Sequence, residues 1–81
     1  MAYFVYILKC KDDSLYCGIT NDLEKRIYQH NNAKSGARYT KSRRPVVLLY
    51  SEKKRTRGNA LKREAVIKKM TREKKLELIH I

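Results

Sequence analysis

Two short apolar runs, Tyr3–Cys10 (YFVYILKC) and Leu15–Thr20 (LYCGIT), are separated by Lys11, Asp12, Asp13 and Ser14. Both runs are rich in aromatic and β-branched residues, and the segment between them is turn chemistry, so the pattern predicts an antiparallel hairpin. Two registers are open to it. If Cys10 pairs with Ser14 around a three-residue loop, Tyr6 and Tyr16 share a face as diagonal neighbours. If Lys11 pairs with Ser14 around a two-residue loop, the two phenols stand on opposite faces. The residues of the turn do not choose between them.

Asn21-Asp22-Leu23-Glu24 is a helix start, with Thr20 or Asn21 as the cap and acids in the first turn. Leu23 and Ile27 give that helix an apolar stripe, and it is expected to end at Asn31 or Asn32. Arg26 and His30 stand one turn apart on the flank of the stripe. Ala33–Pro45 (AKSGARYTKSRRP) is a basic loop, and Val46–Ser51 (VVLLYS) a third strand beginning at Pro45. After a basic connection over Glu52–Gly58, Asn59 is expected to cap a helix to about Met70. Thr71 is expected to cap a last helix to about Leu78. The order strand, strand, helix, strand, helix, helix predicts one α+β domain over residues 1–81: a three-stranded, mainly antiparallel sheet flanked by helices.

Lys and Arg number 20 against 8 acids, a net charge of +12 on 81 residues. Solubility asks for about 2–8 net charges on a small domain, so the excess points to a nucleic-acid partner. Membrane-surface binding fits less well, because no long helix sets an apolar stripe against a basic face. The first apolar run is too short for a leader or a span, so a cytoplasmic location is expected. Cys10 and Cys17 are then expected to be reduced thiols. Together with His30 and His80 they match no familiar zinc-ligand spacing.

Glu64 falls on the apolar arc of its helix, between Ala60 and Leu61 and beside Ile67. A carboxylate there needs a partner. That partner is either Lys68 one turn later or a hard divalent cation. In the basic loop, Lys34, Arg38, Lys41, Arg43 and Arg44 are candidate phosphate contacts and Tyr39 a candidate base-stacking residue. Lys53, Lys54, Arg55 and Arg57 form a second basic patch.

Taken together, these residues resemble the GIY-YIG superfamily of nuclease domains, and above all its small stand-alone bacterial, UPF0213-like members. Val5-Tyr6-Ile7 occupies the place of the first motif, with valine where the motif's name has glycine, and Tyr16-Cys17-Gly18 the place of the second. The helix segment from Thr20 to Arg26, then His30, Tyr39-Thr40, Arg44-Pro45 and Glu64 follow in the order of the superfamily. The resemblance implies the hairpin register that brings both phenols together. It implies that Tyr6 and Tyr16 orient or deprotonate the attacking water. Arg26 would neutralise charge on the scissile phosphate, His30 would bond the phosphate or assist proton transfer, and Glu64 would hold one Mg²⁺ or Mn²⁺. Gly18 would allow close backbone packing near the site.

The expected activity is metal-dependent endonucleolytic hydrolysis of phosphodiester bonds, in DNA rather than RNA. With no separate recognition domain, the cutting is expected to be structure-selective or nonspecific. Targeting falls to a protein partner, and the chain acts as a monomer or weak dimer. The alternative is a non-catalytic, basic nucleic-acid-binding module that uses the same face for docking.

Overall fold

In a computed structural model, residues 2–32, 40 and 42–80 are described. Strands β1 (Tyr3–Lys9) and β2 (Leu15–Thr20) are followed by helix α1 (Leu23–Asn32) and strand β3 (Val47–Lys54). Helices α2 (Arg57–Lys68) and α3 (Arg72–Ile79) close the chain. The strands form one sheet in the order β2-β1-β3, with both pairings antiparallel. This is the expected architecture and element order.

The hairpin adopts the three-residue loop. Cys10 N donates to Ser14 O at 2.9 Å, Asp13 N donates to Cys10 O at 2.9 Å, and Lys9 pairs with Leu15. Closing the loop puts Asp13 at φ 67°, a left-handed conformation that a short polar side chain tolerates better than most. Asp12 Oδ1 accepts from both Ser14 N (3.1 Å) and Ser14 Oγ (2.6 Å) and fixes the turn from inside. In this register Tyr6 pairs with Gly18 and Leu8 with Tyr16, so the two phenols are diagonal neighbours on one face.

β1 stops one residue early, at Lys9, and β3 starts one residue late, at Val47; three further boundaries differ from the sequence expectation for a visible reason. Asp22 caps α1, in place of Thr20 or Asn21: its Oδ1 accepts from Lys25 N at 3.1 Å. β3 continues to Lys54 rather than Ser51, because its pairing with β1 runs on through Glu52↔Val5, Lys53↔Phe4 and Lys54↔Tyr3. α2 begins at Arg57, capped by Thr56 and not by Asn59. Thr56 Oγ1 accepts from Asn59 N at 3.1 Å, so Asn59 is the residue whose amide is capped. Thr71 caps α3 as expected, accepting from Lys74 N at 3.2 Å.

The period-2 alternation of β1 divides the core in two. Val5 and Ile7 pack with Cys17, Ala60 and Ile67 on the α2–α3 side. Tyr6, Leu8, Cys10 and Val46 pack with Tyr16, Leu23 and Ile27 on the α1 side. Cys10 and Cys17 are free thiols in different clusters. On the α2 side Glu52 accepts from Arg63 Nε (3.0 Å to Oε1) and Nη2 (3.0 Å to Oε2), and from Tyr50 Oη at 2.5 Å. Lys54 Nζ lies 3.2 Å away. Burial alone would raise the Glu52 pKa. The hydrogen bonds from Arg63, Tyr50 and Lys54 override it and hold the carboxyl at about 2. This network fastens α2 to β3.

Candidate functional site

Tyr6 comes from the central strand, yet its hydroxyl reaches past the strand beside it. The reason is Gly18. A Cβ there would lie 2.6 Å from Tyr6 Oη, 2.8 Å from Cζ and 3.2 Å from Tyr16 Cε2. With no side chain at that point, the Tyr6 ring lies across β2. The absence of a Cβ opposite the phenol is therefore a condition of the site.

α1 supplies the next two groups. Its Leu23–Ile27 stripe faces the sheet, which turns His30 inward to complete burial. His30 Nε2 lies 2.9 Å from Tyr6 Oη, and Nδ1 lies 2.6 Å from Thr40 Oγ1. Tyr16 lies edge-on to His30, ring centroids 5.2 Å apart, and tilted against Tyr6 at 6.4 Å. Tyr6 and Thr40 are as buried as His30, whereas Tyr16 and Arg26 are half-buried. Arg26 Nη1 donates to Gln29 Oε1 at 3.2 Å, and its guanidinium lies beside Tyr6. The four residues from β1, β2 and α1 thus form two tiers: Tyr6 and His30 inside, Tyr16 and Arg26 toward solvent.

Burial governs the protons. It pushes the Tyr6 phenol up to about 12, with Arg26 pulling the other way and Tyr16 adding to the rise. Burial lowers His30 to about 4, helped by the positive charges of Arg26 and Arg44. Burial thus favours the uncharged form of both partners. The resting pair is a neutral phenol against a neutral imidazole.

Glu64 arrives from the other layer. It stands on α2, its carboxylate 3.5 Å from Lys68 Nζ, with side-chain exposures of 17% and 55%. It lies close enough to Cys17 to oppose ionisation of that thiol, which burial first and Glu64 second push up to about 11. Cys17 lies between Tyr16 and Gly18 in β2. Glu64 and the two phenols thus meet the same edge strand from opposite faces. Among the described residues no three His, Cys, Asp or Glu side chains gather as a metal cage. A single carboxylate completed by water and phosphate oxygens is nonetheless an ordinary donor set for Mg²⁺ or Mn²⁺, and Glu64 fits that class.

Of the expected basic-loop contacts, Lys34, Arg38, Tyr39 and Lys41 lie outside the described residues. Arg43 and Arg44 have partners within the protein. Arg43 Nε donates to Asp12 Oδ2 at 3.0 Å. Arg44 donates from Nε to the His30 carbonyl and from Nη2 to the Gln29 carbonyl, so it covers the C-terminal end of α1. Asn31 completes the docking: its Oδ1 accepts from Val46 N at 2.7 Å and its Nδ2 donates to Val46 O at 3.1 Å. Gln29 and Asn31 are contributors that the sequence reading missed, and Thr40, quoted there with Tyr39, was given no role. The signal for Thr40 is that a buried imidazole needs a partner at each ring nitrogen.

Comparison with known proteins gives the family. The model of the GIY-YIG catalytic domain matches residues 2–77. A UPF0213 protein of Staphylococcus saprophyticus is 57% identical over 77 residues, covering 95% of this chain and 93% of the relative. Another, of Syntrophus aciditrophicus, is 55% identical over 76 residues, covering 94% and 87%. The solution NMR structure of a UPF0213 protein from Bacillus halodurans superposes with a TM-score of 0.63 at 38% identity, over 99% of this chain and 84% of that one. With the two tyrosine motifs paired across a hairpin, and the arginine and histidine of the next helix closing over them, the chain belongs to the GIY-YIG catalytic-domain family.

Proposed function

We propose that this protein is a metal-assisted endonuclease that hydrolyses phosphodiester bonds in DNA, structure-selectively or without sequence preference, in the cytoplasm and with a protein partner directing it. The observation that carries the reading is the buried Tyr6–His30–Thr40 chain, with Tyr16 and Arg26 set over it at the solvent side. A basic binding module needs phosphate contacts. It has no need of a buried phenol held against an imidazole.

The roles follow from depth and charge. Tyr16, in the outer tier, orients the attacking water. Arg26, braced by Gln29 and Tyr6, stabilises charge developing on the phosphate. Tyr6 and His30 stay neutral at rest, so Tyr6 acts as a hydrogen-bonding relay and not as a standing base. Glu64 would hold a divalent cation, which supplies Lewis-acid stabilisation of the leaving oxygen. The ion pair that Glu64 makes with Lys68 is of a kind worth about 0.3–0.5 kcal/mol, so it does not lock the carboxylate away.

The test is turnover of single-stranded, duplex and branched DNA with Mg²⁺ or Mn²⁺. Cleavage is expected to need the cation and to fall at least about 100-fold in Tyr16→Phe, within the range of a lost proton-positioning group. It is expected to disappear in Glu64→Ala. Cleavage that is unchanged in Glu64→Ala overturns the reading. Salt-sensitive binding without turnover would leave the binding module, which the Glu64–Lys68 pair and the +12 charge also accommodate.

A further inference from the structure

Six cations and no acid lie between positions 53 and 63. Where β3 runs toward α2, Ala2, Lys53, Lys54 and Arg55 line a cleft of about 430 Å³. A second hollow of about 380 Å³ shares Lys54 and is lined by Asn59, Lys62, Arg63 and Val66. The nearby carboxylate, Glu52, is already neutralised by Arg63 and Lys54. Among the described residues, Lys53, Arg55 and Lys62 have neither a carboxylate nor another polar partner, and all three are exposed. A cluster of unopposed cations repels itself and is relieved by a polyanion.

We propose that this groove is a second phosphodiester-binding site, and that the domain holds two separate segments of DNA. It rests on the reading above for the identity of the polyanion, not for cleavage. The candidate cleavage site lies on the α1 side of the sheet and opens over β2. The groove lies at the β3 edge: Lys53 pairs with Phe4 and stands on the α1 face, Lys54 pairs with Tyr3 and stands on the α2 face, and the second hollow continues along α2 at Lys62 and Arg63, with β1 between the two edges. A straight segment that follows the groove from the β3 edge along α2 leaves the α1 face and does not meet the cleavage site. A concave channel with spaced cations also suits a rod carrying a phosphate about every 1.7 Å of axis better than it suits a flat bilayer.

The experiment titrates a DNA hairpin of eight base pairs into the protein in chelator, so that nothing is cut, and reads duplexes bound per chain by calorimetry. Wild type is expected to take two. The triple variant K53Q/R55Q/K62Q, with an unchanged melting temperature, is expected to take one, at an affinity within about twofold of the stronger wild-type site. The slope of log affinity against log salt for the lost site should match two to three phosphate contacts, at about 0.9 per contact. Fewer than two hairpins per wild-type chain, or two on the triple variant, overturns the proposal. So does a triple variant that loses phosphatidylserine vesicles while keeping both hairpins. A two-to-one change in a protein that cleaves nothing with Mg²⁺ or Mn²⁺ would remove the nuclease reading and leave this one standing.

Discussion

Gly18 leaves the space that the Tyr6 phenol occupies. In Gly18→Ala the new methyl group and the Tyr6 phenol compete for one space, so the tyrosine rings or the strand must shift. Overpacking of this kind costs about 1–3 kcal/mol. Nuclease activity is expected to fall at least tenfold, and chemical denaturation measures the stability loss. His30 gives a second expectation. Its folded pKa of about 4 lies below the ordinary 6.5, so the unfolded chain takes up the proton first as pH falls. The stability it contributes is whole above pH 6.5 and is lost down to pH 4, amounting to about 3 kcal/mol. Thermal unfolding across that window checks it: wild type should lose stability, and His30→Gln should lose clearly less. Tyr6, Tyr16, Arg26 and His30 could be picked out of the sequence through the resemblance to the GIY-YIG superfamily, whereas strand alternation alone left the two phenols on one face or on opposite faces. Their depth could not be read there. Nothing in the local sequence around His30 says that Thr40 closes over it.

At the scale of elements, the caps decided where reading and structure parted. Thr56 and Asn59 are both good N-cap residues, and the choice fell to Thr56 because β3 pairs as far as Lys54 and delivers the chain there in an extended conformation. Thr56→Ala is expected to lower stability by about 1 kcal/mol. Gly58→Ala should raise it by about 0.5 kcal/mol, since a Cβ there meets nothing nearer than Thr56 Oγ1 at 3.9 Å. Urea denaturation of the two variants, with opposite signs expected, tests the assignment. The long reach of β3 was hidden because Glu52, Lys53 and Lys54 look like a charged connection until Arg63 supplies a partner for Glu52. The same holds for Arg44. It reads as a phosphate contact in the sequence, and in the fold it bonds the last carbonyls of α1.

For the molecule as a whole, the +12 charge is a statement about binding, not about the fold. With about six phosphates contacted, affinity for duplex DNA is expected to fall about a thousandfold between 50 and 200 mM salt. Fluorescence anisotropy at a series of ionic strengths measures it, and a flat response would remove nucleic acid as the partner. Architecture and element order could be read from one chain, whereas the hairpin register and the far-side placement of Glu64 could not. For Glu64 the reason is that helical periodicity shows a residue to be near a core, and here there are two cores separated by a single sheet. The turn at Lys11–Asp13 keeps those two sides in order. Deleting one of its residues would invert β2, carrying Tyr16 and Gly18 to the side of Glu64 and putting Cys17 beneath α1. Every residue of the two motifs would still be encoded, yet a side chain would fill the space over β2 that the Tyr6 phenol now occupies, through the loss of a residue outside the pocket.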